Sequence, residues 1–327
     1  MTSFFCPISY SKKFKKIFSI KKFPIFMGVQ KKKNNFEYAD LNWWINLDSG
    51  NIQIHPKLPL EKLYFKSHGS GTIGKTWQDH HQLFFNLLKN NLKGNICEIG
   101  GGQNSILNKI NDFSKIHNFF SFDKNLKLKK KNKKITQIKK FFYKDFFKKK
   151  NCSIDLLIHS HTFEHLYDPN QFLKDARSIL SKNGYHIFTM PNMMPMIRKG
   201  YANAMNFEHP FYCDEKLVDT LLLKNNFTTI KKKYFKADHS IMYVTKINNS
   251  PVIKNKNNSN YLEYNKNLKL FSRMFDFWRR DIAKINKIIH KYDNVFIFGA
   301  HIFSQMILFN GLNKDKINGI LDNDIKK

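Results

Sequence analysis

Residues 95–104 read NICEIGGGQN: an apolar run, a carboxylate at Glu98, and then the turn Gly100-Gly101-Gly102-Gln103-Asn104. The run Asn95–Ile99 has the length and apolar content of a buried strand, and the pattern after the turn predicts a helix through about Ile110. Glycines at such a strand-to-helix junction let the backbone reverse tightly and approach a ligand, with the amide groups of a helix N-terminus beside them. A glycine-rich turn alone is a weak signal, so its surroundings decide its meaning.

Those surroundings alternate. Upstream, His80–Leu92 carries apolar residues at helical spacing. Downstream come the strands Phe119–Phe122 and Ile154–His159, and a helix at Asn170–Leu180 with Asn183-Gly184 as its stop. Then follow the strand Tyr185–Thr189 and the helix Leu217–Lys224. Alternation of this kind predicts an α/β fold with a Rossmann-like, mostly parallel sheet. Residues 1–62 look irregular, with Asp48-Ser49-Gly50 as a turn and Pro56 and Pro59 as breakers, and form a small N-terminal module. The core is assigned to 63–246 and a polar, Asn-rich linker to 247–260. Residues 261–327 hold a long helix over Leu262–His290 and one βαβ unit, Asn294–Phe298 to Ile317–Leu321. One such unit cannot cover both faces of a sheet, so this reads as a partial C-terminal α/β domain.

A chain of 327 residues is long enough for two or three domains. No stretch approaches the ~20 apolar residues that span a bilayer, and no signal sequence is evident, so a cytoplasmic protein without a membrane partner is expected. The net charge of +31 is mostly lysine and accompanies abundant Asn, Ile and Phe. A compositional bias toward A/T-rich codons accounts for that without a nucleic-acid partner, and arginine, the residue of base and phosphate forks, is scarce. The field would still favour an anionic substrate. Cys6, Cys97, Cys152 and Cys213 form no CxxC pair, so neither a disulfide framework nor a metal site is expected.

Three further places carry chemistry. Asp123 closes the strand FFSFD, where ligands of open α/β sheets bind and a carboxylate can accept two sugar hydroxyls. An ordinary turn aspartate is the plain alternative. Asp145, in FFYKDFF, sits where a third strand would end. In IDLLIHSHTFEHLYDP, Asp155 opens a strand and His159, His161 and His165 follow; on a strand-to-helix turn these three do not converge on one metal ion.

CEIGGG, SFD, HSHTFEHLYDP and Met190-Pro191-Asn192 together resemble class I S-adenosylmethionine-dependent methyltransferases, in which the acidic residue precedes the glycines. The flanks are similar to one branch, the three-part sugar C-methyltransferase-like proteins. Tyr64–His81 resembles the segment leading into their core, Asn206-Phe207-Glu208-His209 their Glu-His element, and VFIFGAHIFSQMI with GILDNDIKK the start of their C-terminal Rossmann-like domain. The resemblance implies S-adenosylmethionine as cofactor, held by Glu98, Gly100, Gly101, Gly102 and Asp123, with Asp145 at the adenine amino group and His161 toward the sulfonium. It implies a small-molecule acceptor, a keto nucleotide sugar or glycan precursor, and His209 as general base with Glu208 orienting it and Tyr64 assisting. Without the resemblance, His209 reads as a structural histidine between Phe207 and Phe211. That branch opens with a zinc module of two CxxC pairs. Here only Cys6 of Cys6-Pro7-Ile8-Ser9 remains, and the second pair falls on Asn46 and Ser49, so the module is expected to have lost its metal. Its C-terminal domain continues where this sequence stops after Asp322, so a truncated domain is expected.

Two rival readings remain. A nucleic-acid methyltransferase would carry an (N/D/S)PP(Y/F) tetrad where this chain has His159-Ser160-His161-Thr162. A non-catalytic, decayed relative would bind no S-adenosylmethionine.

Overall fold

The computed structural model describes residues 4–26, 37–64, 74–102, 105–125, 132–248 and 263–323. Gln103, Asn104, most of the expected linker, and residues 65–73 of the segment leading into the core lie outside them. The chain forms two compact units that interleave in sequence: one from 1–68, 193–212 and 261–327, the other from 69–192 and 213–260. The linear division at 62, 246 and 260 therefore differs from the structure chiefly at 193–212, which leaves the core unit.

The first unit begins with strands, where the sequence suggested irregular chain. β1 (Phe14–Pro24), β2 (Tyr38–Asn46) and β3 (Ile52–Ile54) form an antiparallel sheet in the order β1-β2-β3. The short helix α1 (Leu60–Leu63) follows and ends on Tyr64.

In the second unit, α2 (Lys75–Leu88) buries His80, Phe84 and Leu88, spaced four residues apart on one face. β4 (Gly94–Ile99), β5 (Ile116–Phe122), β6 (Ile135–Ile138), β7 (Ile154–Ser160), β8 (Leu180–Pro191), β9 (Phe227–Phe235) and β10 (Ser240–Ile247) make one sheet in the order β6-β5-β4-β7-β8-β10-β9. The pairs β6/β5, β5/β4, β4/β7 and β7/β8 are parallel, and β10 runs antiparallel to both neighbours. This is the expected Rossmann-like α/β fold. The helices α3 (Asp145–Lys149) and α4 (Pro169–Ile179) precede β7 and β8. Two local expectations change. After the glycine turn the described residues hold a single 3₁₀ turn, Ile106–Lys109, instead of a helix. Asn183-Gly184 does not stop α4, which ends at Ile179; it lies inside β8, with Gly184 pressed against the Ile154 carbonyl.

The remaining elements are α5 (Met193–Arg198), α6 (Glu215–Lys224), α7 (Tyr264–Ile289), β11 (Phe296–Phe298), α8 (Ile302–Phe309) and β12 (Gly319–Leu321). Of these α6 belongs to the core unit. In the first unit, α7 buries Phe271, Met274, Phe275 and Trp278, and Phe275 stacks on Phe18 of β1 at 4.1 Å between ring centroids. The pair β11/β12 is parallel, as a βαβ crossover requires. No helix of the described residues is long and apolar enough to cross a membrane.

One face of the seven-stranded sheet packs Ile96, Phe119, Leu156, Ile158, Ile187 and Met242 against Phe84 and Leu88 of α2. Leu156 sits on β7 at the centre of that sheet and is fully buried. Leu156→Ala is expected to destabilise the core by about 2–5 kcal/mol. A denaturant titration checks it: the midpoint falls while the slope stays unchanged.

Candidate functional site

The chain order reverses direction beside β4. β5 and β6 are added on one side of it, and β7 and β8 on the other. In open α/β sheets such a switch point, at the carboxyl ends of the strands, forms the ligand crevice. The glycine turn leaves β4 at that point.

The turn is built around the carboxylate of Glu98. This side chain is buried, accepts a hydrogen bond from the Ile106 amide at 2.7 Å, and is also bonded by the Ser105 hydroxyl. The carboxylate thus reaches across the turn and ties its far end to β4. Gly101 makes room for it: a Cβ there would lie 2.7 Å from the Glu98 carboxylate. Gly100 and Gly102 have φ of +72° and +52°, the left-handed region that glycine enters freely. Gly100 also lies against Thr162, whose hydroxyl a Cβ would approach to 2.5 Å. Burial raises the Glu98 pKa to about 7, against the opposing pull of the Ser105 and Ile106 hydrogen bonds.

Asp123 follows β5 directly, and its amide donates to the Ile138 carbonyl of β6 at 3.1 Å. Its carboxylate accepts from the Asn125 amide at 2.6 Å and from the Gly102 amide, so the glycine turn and the end of β5 are joined through it. Burial raises its pKa, and these two amides pull it back. Asp145 is not at a strand end, because β6 stops at Ile138. It is an exposed residue in the first turn of α3, beside Lys148.

His161 leaves β7 with φ of +48°, a sparsely populated conformation for a residue with a side chain. Its Nδ1 lies 3.1 Å from the buried Glu164 carboxylate and its Nε2 2.9 Å from the Ser240 hydroxyl. The Ser240 hydroxyl is also 2.6 Å from His239 Nδ1. His80 Nε2 is 3.1 Å from the Thr189 hydroxyl, and Trp77 packs its ring 4.7–5.5 Å from the rings of His80, His161 and His239. Burial and the neighbouring His161, His81 and His239 press the His80 pKa down to about 2, so its imidazole is neutral. Sequence reading missed Trp77, His80, His239 and Ser240 as a group. The one available signal was a histidine in the apolar stripe of α2. His159, by contrast, turns into the opposite face of the sheet and pairs Nε2 to Nε2 with His186 at 2.8 Å, fully buried among Phe163, Phe172 and Phe188.

The other residues singled out belong to the first unit. Tyr64 caps α1, its amide donating to the Leu60 carbonyl. Glu208 and His209 sit in a turn whose two amides donate to the Asn206 side chain at 2.8 and 3.3 Å. His209 Nδ1 lies 3.1 Å from the Ala204 carbonyl, which fixes the proton on Nδ1 and leaves Nε2 as the basic nitrogen. The turn is anchored where the Ile54 amide donates to the Pro210 carbonyl and the Tyr212 amide to the Ile52 carbonyl. Cys6, Ser9, Asn46 and Ser49 also gather. The Cys6 thiol is 3.1 Å from the Ser49 hydroxyl, and Asn46 Oδ1 accepts from the hydroxyls of Ser49 and Ser9 at 2.9 and 3.1 Å.

Residues 73–232 match the model of a family described as a methyltransferase domain. No curated protein matches the chain. Among solved structures, it is similar to the N-methyltransferase NodS of Bradyrhizobium japonicum, at 14% identity over 54% of this chain and 98% of that one, with a TM-score of 0.41. An S-adenosylmethionine-dependent methyltransferase of Mesorhizobium loti is similar at 12% identity over 54% and 99%, TM-score 0.40. Another from Clostridium acetobutylicum is similar at 12% identity over 53% and 92%, TM-score 0.38. The family match covers the glycine turn, Asp123, Asp145 and His161.

Because the Glu98 pKa is raised in the folded protein, the folded state holds its proton more tightly than the unfolded chain does. Its contribution to stability is therefore fully present below about 4.5, the unfolded value, and is lost as pH rises through about 7. In Glu98→Gln, which keeps an acceptor for the Ile106 amide, the difference in thermal midpoint from the parent is expected to grow in the variant's favour across that window. Melting curves at pH 4.5–7.5 check this; parallel curves for the two proteins would contradict it.

Proposed function

We propose that the core unit works as a class I methyltransferase domain and that the chain is an enzyme using S-adenosylmethionine as its methyl donor, a reading supported by the family match over residues 73–232 and by the strand order of the sheet. We propose that the adenosyl moiety lies over the glycine turn at the carboxyl ends of β4 and β5, with the Asp123 carboxylate accepting the ribose hydroxyls. The observation that carries this reading is the joint formed by Glu98, the three glycines and Asp123. In this reading backbone amides and one carboxylate stand at the switch point, and Gly100, Gly101 and Gly102 carry no side chain to obstruct a ligand. Glu98 then acts by holding the turn, since its carboxylate is engaged by Ser105 and Ile106. Asp145 at the start of α3 is assigned to the adenine amino group, and His161 to the end of the site beyond β7.

The acceptor is proposed to be a small molecule, a keto nucleotide sugar or a related glycan precursor methylated on carbon. Two observations favour that branch. The positions of the two expected CxxC pairs converge in space although only Cys6 keeps a thiol, as a metal module would do once hydrogen bonds had replaced its ion. The turn bearing Glu208 and His209 also presents an imidazole whose tautomer suits proton abstraction beside a ketone, a task that requires a base with pKa near working pH. Tyr64 is the third proposed participant. Methyl transfer itself needs little activation of the donor, because the sulfonium is already a good leaving group. The protein's task is in-line alignment of donor and acceptor and creation of the nucleophile.

The reading is tested by calorimetry with S-adenosylmethionine together with turnover on a panel of nucleotide sugars. Asp123→Ala is expected to weaken donor binding about 10- to 100-fold, in line with the loss of charge-assisted hydrogen bonds of about 1.5–3 kcal/mol. His209→Ala is expected to keep donor binding and lose turnover. Folded protein that ignores the donor at millimolar concentration would remove the assignment, and unchanged turnover in His209→Ala would remove the base.

A further inference from the structure

At the edge of the proposed donor site, where His161 stands, a cluster of ligating side chains among the described residues of the core unit is formed by His80, His161 and His239. Their ring centroids form a nearly regular triangle, 5.2 Å from His80 to His161, 5.3 Å from His80 to His239 and 6.0 Å from His161 to His239. One nitrogen from each ring lies within 4.8 Å of the other two. The three come from separate elements: α2, the turn after β7, and the residue before β10. They meet at the carboxyl-end edge of the sheet, beside Thr189 near the end of β8. We propose that these three histidines form a binding site for a divalent transition-metal ion of the zinc kind, with coordination left open for water or an oxygen ligand.

Three observations point to an ion and away from mere ring packing. His80 is fully buried, yet its Nδ1 has no hydrogen-bond partner among the described residues. A buried polar atom left in that state is costly unless something else fills the place. His161 has its Nδ1 against a carboxylate, Glu164, that is itself buried. That is the outer partner a ligating histidine ordinarily has, orienting the ring and making the other nitrogen a better donor. His161 holds a positive φ, strain of the kind that persists where the surrounding structure fixes a functional side chain.

The geometry needs a modest closure. Nitrogens bound at about 2.0–2.1 Å to a tetrahedral ion stand roughly 3.3 Å apart, so the rings would draw in by an ångström or so. The Ser240 hydroxyl, now between His161 and His239, would give up those two contacts. Three imidazoles suit zinc, cobalt, nickel or iron and leave at least one position open, the arrangement of catalytic sites rather than closed structural ones. Such a position takes an oxygen donor, a hydroxyl or the enolate oxygen of a ketone. This last step rests on the methyltransferase reading; metal uptake does not.

The test uses tag-free, full-length protein stripped with chelator and titrated with Zn²⁺ by calorimetry and with Co²⁺ by visible absorption. One ion per chain in the low-micromolar range or tighter is expected, with cobalt showing d–d bands of low-coordinate nitrogen ligation. His239→Ala and His161→Gln should each weaken uptake at least 100-fold, and Glu164→Gln about 10-fold or more. His117→Ala, on the exposed face of β5, should leave it unchanged. Circular dichroism confirms that each variant is folded, and His239→Ala, at a partly exposed position, serves if His161→Gln is not. Uptake weaker than about 100 μM, or equal uptake by parent and His239→Ala, would overturn the site. Donor binding measured on the same samples separates this outcome from failure of the methyltransferase reading.

Discussion

A single buried carboxylate organises the centre of the core unit. Glu98 is carried to the end of β4 by a strand with no freedom to slip, since β4 is hydrogen-bonded on both sides by parallel neighbours. From there it seizes the chain again at Ser105 and Ile106, closing the loop it has itself begun. Three consequences follow from that contact. Residue 101 must be glycine, because the carboxylate occupies the space a Cβ would fill. Gly100 and Gly102 must take left-handed conformations to complete so short a reversal. The Gly102 amide is then directed at Asp123, so the end of β5 is coupled to the end of β4. A water-exposed glutamate would hold the turn far less firmly, since solvent would compete for the same two donors.

The parts of this arrangement that were readable from sequence are those governed by short-range patterns. Strands β4, β5 and β7 are largely apolar and mostly buried, and the glycines and Asp123 mark the carboxyl ends of β4 and β5. The N-terminal sheet was not readable, for a physical reason. β1 buries Phe18 and Ile20 with the period of a strand, but register shifts between Lys16 and Phe18 and between Ile20 and Phe23 break that period and leave the lysines scattered. The expected helix after the glycine turn fails because Ser105 both caps the next turn and bonds Glu98, and Ile110 is already extended. Asn183-Gly184 resembles a helix stop, yet glycine serves there to let β8 pass the Ile154 carbonyl at close range.

Residues 193–212 show a different limit. They follow β8 in sequence, so linear reading assigns them to the core, and the Glu-His element with them. Contacts with β3 place them in the other unit: the Ile54 amide reaches Pro210 and Tyr212 reaches Ile52, joining segments that hydropathy patterns cannot relate. Asn51 strengthens that joint by donating to the Tyr212 carbonyl. What sequence supplied for His209 was therefore a resemblance, whereas its tautomer could come only from the Ala204 carbonyl beside it.

The histidines show how far environment, rather than residue type, sets chemistry. His159 and His186 are fully buried, neutral and paired with each other, and each also has an Nδ1 without a partner among the described residues. An unpartnered nitrogen alone therefore does not define a site. The pair lies within the sheet's interior, walled by phenylalanine rings, and offers only two ligands, too few to repay the desolvation of an ion there. His80, His161 and His239 differ in number, in their convergence and in the carboxylate behind one of them. They also sit at the strand-end edge, where ligands of this architecture approach. The sequence HSHTFEH offers His159, His161 and His165 as if equivalent. β7 carries the first into the core, but the strand ends at Ser160, and the positive φ of His161 turns the second to the edge, where it meets two histidines from distant segments.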